Sequence, residues 1–225
     1  VNPFIGTTHY GTTHPGAVTP GGMMSVVPFN VMGSDLNLYD KDQRWWSAPY
    51  EHTNHYFTGY AHVALSGVGC PEASALLVMP TTGKLDVDYH SYGSEYTDER
   101  ATPGYYTNRL TKYGIKTEVT ATPRTSCERY TFPAGEGHII LNLGQGLTNE
   151  SGAMVRRVST TEVEGMKLMG TFCYTTQAVF PLYFVMRLSH EPTKSRPWKF
   201  QPKMQGIESA WSPDDGTYKL YENYH

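Results

Sequence analysis

KYGIKTEVTATPRTSCERYTF, residues 112–132, is the stretch that decides the fold. Gly114 sits where a hairpin must turn, and residues 114–122 and 125–132 read as antiparallel strands bracketing a second turn at Pro123. Working outward, the same short alternating pattern recurs at 75–80, 85–89, 104–111, 138–143, 153–160, 165–174, 180–188 and 217–221. Glycine- and proline-bearing turns separate these runs, and no amphipathic helix of ten or more residues interrupts them. Towards the N-terminus, residues 1–34 are loop-rich. Met24, Val26 and Phe29 suggest one short strand there, while Pro3, Pro15, Pro20 and Pro28 exclude a helix. Residues 35–43 form a polar surface loop, and the Pro- and Trp-bearing stretch 191–216 reads as a longer one. Many short strands joined by tight turns argue for an all-β chain, an antiparallel sandwich with little helix.

Composition narrows the function. The 225 residues, 39% of them hydrophobic, suit one large β domain or two small ones and exclude disorder. Net charge is −3 with scattered Lys and Arg, so no basic face points to nucleic acid or a membrane surface. No apolar run approaches the ~20 residues of a spanning helix. Cys70, Cys127 and Cys173 allow at most one disulfide and have no metal-site spacing. The chain starts at Val1 without a methionine or signal peptide and reads as a processed or cloned segment. It stops at His225 just after a strand has begun, so its last strands are expected to be lacking.

The chemistry concentrates between Arg44 and Lys84. Trp45, Trp46, His52, His55, Tyr56, Tyr60 and His62 gather aromatic and neutral polar groups in a segment that reads as too irregular for core. Sugars need such a surface, with flat apolar faces to stack on and polar groups for the hydroxyls. Tyr and Trp also fill sandwich rims, so both readings stand. In extended chain the two tryptophans point to opposite faces, so at most one lies deep in a given core. In SGVGC, Gly67 and Gly69 supply backbone freedom where the chain bends or approaches something closely. The motif lacks the strand-to-helix setting of a phosphate cradle, and Ser66 lacks the glycine two places before it that a nucleophile elbow needs. Cys70 reads as a buried structural thiol. His52, His55 and His62 match no zinc spacing, and Asp86 with Asp88 reads as a solvated edge. Glu72 is the best single carboxylate, yet no complete catalytic set and no metal site appear.

Several blocks together resemble glycoside hydrolase family 92, the calcium-dependent exo-acting α-mannosidases. They are VNPFIGT, HPGAVTPGGM, the segment Trp46–Tyr50, GYAHVALSGVGC at 59–70, LLVMPTTGK at 76–84, CERYTFP at 127–133 and GTFCY at 170–174. Gly21-Gly22 before Met23, Tyr60, Ala61 and Ala64 depart from the family's usual residues. The resemblance implies a supersandwich of the galactose-mutarotase type over residues 1–225. In such enzymes this N-terminal domain packs against an (α/α)6 helical catalytic domain, absent here. It implies hydrolysis with inversion, between two carboxyls ~6.5–9.5 Å apart. Calcium is implied for the complete enzyme, with its ligands mainly on the helical part and none expected on this segment. By motif match, Trp45 or Trp46 provides an aromatic platform beside the leaving sugar. Gly67, Gly69 and Cys70 lie on the wall, and His62 stands at the family's retained motif histidine. The expected substrate is a mannose-containing glycan, the expected location exported, and this segment alone should be inactive. The rival reading is a free-standing carbohydrate-binding or adhesion module.

Overall fold

Alternation is regular along Ile115–Ala121, where Ile115, Thr117, Val119 and Ala121 are buried and the residues between them face outward. This is one strand of a computed structural model that describes residues 1–8, 11–37, 48–70, 72–147, 150–170, 175, 177–198, 210–211 and 218–220. The chain divides into two compact units, Val1–Leu147 and Thr148–His225.

The first unit holds two five-stranded sheets. One is built from β1 (Ala17–Val18), β2 (Ser25–Phe29), β4 (Gly59–Ala64), β5 (Ala73–Thr82) and β10 (Gly137–Asn142), in that order. The other runs β3 (Tyr56–Phe57), β6 (Ser94–Thr102), β7 (Tyr105–Leu110), β8 (Ile115–Ala121) and β9 (Ser126–Thr131). All pairings are antiparallel, and β1 and β2 lie against β8, so the sheets face each other as a sandwich. Val26, Phe29, Phe57, Tyr60, Leu77, Met79, Tyr106, Leu110, Ile115 and Val119 fill the space between. The long strand β5 is buried along nine of its ten residues, which explains its continuous apolar run. Gly104 and Gly114 take positive φ (78° and 65°) at the β6–β7 and β7–β8 turns, as hairpin geometry requires. Where Gly16 meets β2, a Cβ would lie 2.4 Å from the Val26 carbonyl oxygen and 2.7 Å from Val27 Cα. Gly16→Ala should therefore cost at least ~1–3 kcal/mol, read as a lower urea midpoint. An unchanged midpoint would show that this close approach does not exist.

The second unit is a sheet of β11 (Glu150–Arg157), β12 (Glu162–Met169), β13 (Phe180–Arg187), β14 (Ala210–Trp211) and β15 (Tyr218–Leu220), ordered β13-β12-β11-β15-β14. Arg187 pairs with Glu162 across β12 and β13 at 2.6 Å. The stretch expected as a surface loop over 191–216 contains the short strand β14.

Three expectations fail locally. Residues 85–89 are not a strand; they lead into a four-residue helix, α1 (Tyr89–Tyr92), capped by Asp88, whose carboxylate accepts from the His90 amide at 3.0 Å. Asp88 is thus a cap rather than an edge charge. Strand β6 was not anticipated, because Tyr96 is its one large apolar residue and a bulge between Thr97 and Arg100 breaks the period. The segment expected to be too irregular for core contains β4, whose Tyr60 is wholly buried. Both faces of that strand are covered, so no alternation shows in its sequence.

Candidate functional site

Strands β4 and β5 pair through Tyr60–Val78, His62–Ala75 and Ala64–Ala73, and the glycine loop Leu65–Cys70 leaves from their ends. The stems of this loop are the most strained backbone among the described residues. Of the five described non-glycine residues with φ between +53° and +64°, four, Val63, Ala73, Ser74 and Leu76, flank this loop. Such conformations cost ~1–3 kcal/mol each and persist only where surrounding structure dictates them.

What dictates them is visible. His62 lies buried under the loop, its Nδ1 2.6 Å from the Leu76 carbonyl oxygen and its Nε2 2.6 Å from Glu128 Oε1 on β9 of the facing sheet. A carbonyl and a carboxylate can only accept, so both ring nitrogens carry protons and the ring is an imidazolium. Burial opposes that charge, but the charge and hydrogen bond of Glu128, with the Leu76 carbonyl, overcome it and raise the His62 pKa above its ordinary value. Tyr130 donates its hydroxyl to the other oxygen of Glu128. One ion pair thus ties the strand of the first sheet that carries left-handed Val63 to the edge strand of the second. The Ser25 hydroxyl also fixes the stem, accepting from the Ala64 amide at 2.6 Å.

The loop itself is open. Val68 is almost fully exposed between two glycines, and a Cβ at Gly67 or Gly69 would meet no atom within 4 Å. Gly67 is needed for its φ of 96°; Gly69 is required neither by packing nor by a positive φ. The Gly67 amide donates to the Thr12 carbonyl at 2.7 Å, which brings the N-terminal loop alongside. Two residues on, His14 has an enclosed Nδ1 without a hydrogen-bond partner among the described residues, and burial pushes its pKa down to about 4. It is a neutral imidazole at ordinary pH. Sequence reading missed it, since one histidine in a polar loop looks like the next.

Of the residues singled out beforehand, Gly67, Gly69 and Cys70 share one loop, with His62 on its stem. Trp45 and Trp46 lie outside the described residues. His62 is not on an aromatic surface: both ring nitrogens are engaged inside the sandwich, and it supports the loop from behind. Cys70 is partly exposed and disulfide-bonded rather than a buried thiol, whereas Cys127 is free and exposed. Glu72 is buried next to β5. His52 is directed elsewhere, towards Tyr50 and Glu99. Among the described residues no three His, Cys, Asp or Glu side chains are placed to hold a metal ion.

A family model for the glycosyl hydrolase family 92 N-terminal domain matches residues 1–223. The chain belongs to that family. The family GH92 alpha-mannosidase BT3965 from Bacteroides thetaiotaomicron superposes on all of this chain with a TM-score of 0.75 and 23% identity. A structure of that enzyme in complex with mannoimidazole superposes equally well. The GH92 glycosyl hydrolase ccman5 matches 82% of the chain at a TM-score of 0.65 and 25% identity. The GH92 inverting mannosidase BT2199 from Bacteroides thetaiotaomicron VPI-5482 matches 85% at 0.63 and 22%. This family 92 chain spans 31% of BT3965 and 25% of each of the other two. Comparison with curated proteins gives no match.

Proposed function

We propose that this family 92 domain belongs to an exo-acting, inverting α-mannosidase and forms one wall of its substrate site with the loop Leu65–Cys70. The observation that carries the reading is an open, glycine-bearing loop with an exposed tip, held by strained stems and an internal ion pair. Strain of this kind collects where a backbone must be presented in one shape. The N-terminal loop, with neutral His14, stands beside it and offers a hydrogen-bonding group that carries no charge. Trp45 or Trp46 supplies the stacking face for the sugar next to the cleaved one.

The general acid and base belong to the helical part of the complete enzyme, where two carboxyls separated by a water's width would invert the anomeric centre. The calcium of the complete enzyme is assigned to that part as well, as the family resemblance implies. This segment alone is expected to leave aryl and natural α-mannosides intact. The disulfide at Cys70 supports an exported protein, since disulfides persist in oxidising compartments.

Gly69 provides the test. In the complete enzyme Gly69→Leu should leave the melting temperature within about 2 °C, because the added side chain meets no neighbour. It should lower kcat/KM for a mannobiose about tenfold or more by filling the space above the loop. Trp45→Ala and Trp46→Ala, read in the same assay, should show a roughly 5- to 30-fold loss at the sugar-facing tryptophan, and much less with an aryl mannoside. Full activity in Gly69→Leu would remove the loop from the substrate site.

A further inference from the structure

The outer face of the second sheet carries a cleft that the proposed function does not use. Strands β6 and β7 lose register between Thr97 and Arg100, and Asp98 in that bulge has φ 54°. Beside the bulge a cleft of about 410 Å³ opens, lined by Asp98, Arg100, Tyr105, Thr107, Arg109 and Lys116 among others. That volume falls within the ~300–1,000 Å³ typical of small-molecule sites. Three cations face one carboxylate here, on a chain whose net charge is −3.

These cations are under-satisfied. Arg109 reaches Asp98 Oδ2 through its Nε alone, at 3.2 Å, one donor of the five it carries. Lys116 Nζ lies 3.2 Å from Glu118 Oε1, but that oxygen already accepts from Tyr105 at 2.8 Å and from Arg129 at 2.9 Å. The ammonium thus shares that oxygen with two other donors and keeps two of its three protons for others. Arg100 has no ion-pair partner among the described residues. Two guanidinium forks and an ammonium around one hollow suit a tetrahedral oxyanion, which they bind through paired charge-assisted hydrogen bonds. The hollow is too large for such an anion alone. Tyr105 and Ala101 add an apolar wall, of the sort a sugar ring packs against.

We propose that this cleft binds a phosphate or sulfate ester carried by a sugar, at a site separate from the loop Leu65–Cys70. Calorimetry on the complete protein in buffer of low ionic strength tests it, with glucose 6-phosphate, inorganic phosphate and glucose as probes. Glucose 6-phosphate should bind and weaken with added salt, and glucose should give no binding that depends on Arg100. Arg100→Gln and Arg109→Gln should each weaken glucose 6-phosphate at least about fivefold. Both side chains are exposed, so melting temperatures should stay put and a loss of binding would not reflect unfolding. If inorganic phosphate binds as tightly, with the same loss in Arg100→Gln, the site takes the free anion and the sugar-borne ligand is wrong. No binding of either anion, or affinity indifferent to Arg100, overturns the site.

Discussion

Glu128→Ala should destabilise the sandwich by about 3–5 kcal/mol, because it leaves the His62 imidazolium inside the protein without its counter-charge. The loss should depend on pH in a defined direction. The folded-state pKa of His62 is raised above its unfolded value near 6.5, so the protonated ring stabilises the fold fully below pH 6.5. That contribution fades as pH rises through the folded pKa. Urea unfolding of wild type and variant should therefore show the widest gap somewhat below pH 6.5 and a narrowing gap above neutrality. A gap independent of pH across that window would mean the ring is neutral in the folded state. The loop should respond too: with the ring unpaired, its grip on the Leu76 carbonyl weakens, and amides of residues 63–76 should exchange with solvent faster.

Tyr60→Ala is expected to have a comparable effect. The ring is fully enclosed, meeting Phe57 edge-on at 4.9 Å and Tyr106 at 6.0 Å, and lying nearly parallel to Tyr130 at 6.5 Å. Deleting it opens a cavity of aromatic size, which costs about 3–5 kcal/mol. Its hydroxyl bonds Thr117 and lies 3.3 Å from Asn108 Oδ1. Tyr60→Phe keeps the shape but leaves those buried groups short of a partner, for about 1–3 kcal/mol. Thermal or urea unfolding that ranks Phe below Ala in cost supports a packing role with a polar tip. Equal cost for both would make the hydroxyl network, rather than the ring, the reason for this residue.

The contrast between these residues and the hairpins shows what sequence can carry. Strands β7, β8 and β9 were legible because β8 alternates between a buried and an open face and Gly114 marks the turn before it. Strand β5 was legible from length and apolarity. Strand β4 was not, because Tyr60 and His62 are polar groups satisfied by Thr117, Asn108 and Glu128, residues 48 to 66 positions away. No local pattern announces such partners. At the candidate site, the backbone freedom needed at Gly67 was legible from composition, whereas Gly69 needs none. The left-handed Val63, Ala73, Ser74 and Leu76 were not, being residues that in isolation favour other conformations. Their shape is imposed by tertiary contacts, which local propensity does not encode.

The anchoring of the loop by β9 has a consequence for the order in which the domain assembles. His62 and Glu128 are separated by 66 residues, and everything from β5 to β8 lies between them. Contacts so distant in sequence form after local hairpins have closed. The chain can make the β7–β8 hairpin from its own neighbours, but it cannot settle the stems at Val63 and Leu76 until β9 arrives to hold the imidazole. The loop Leu65–Cys70 is thus among the last parts of the first unit to acquire its shape, and a nascent chain that has not yet emerged past Glu128 carries the glycine motif without its geometry.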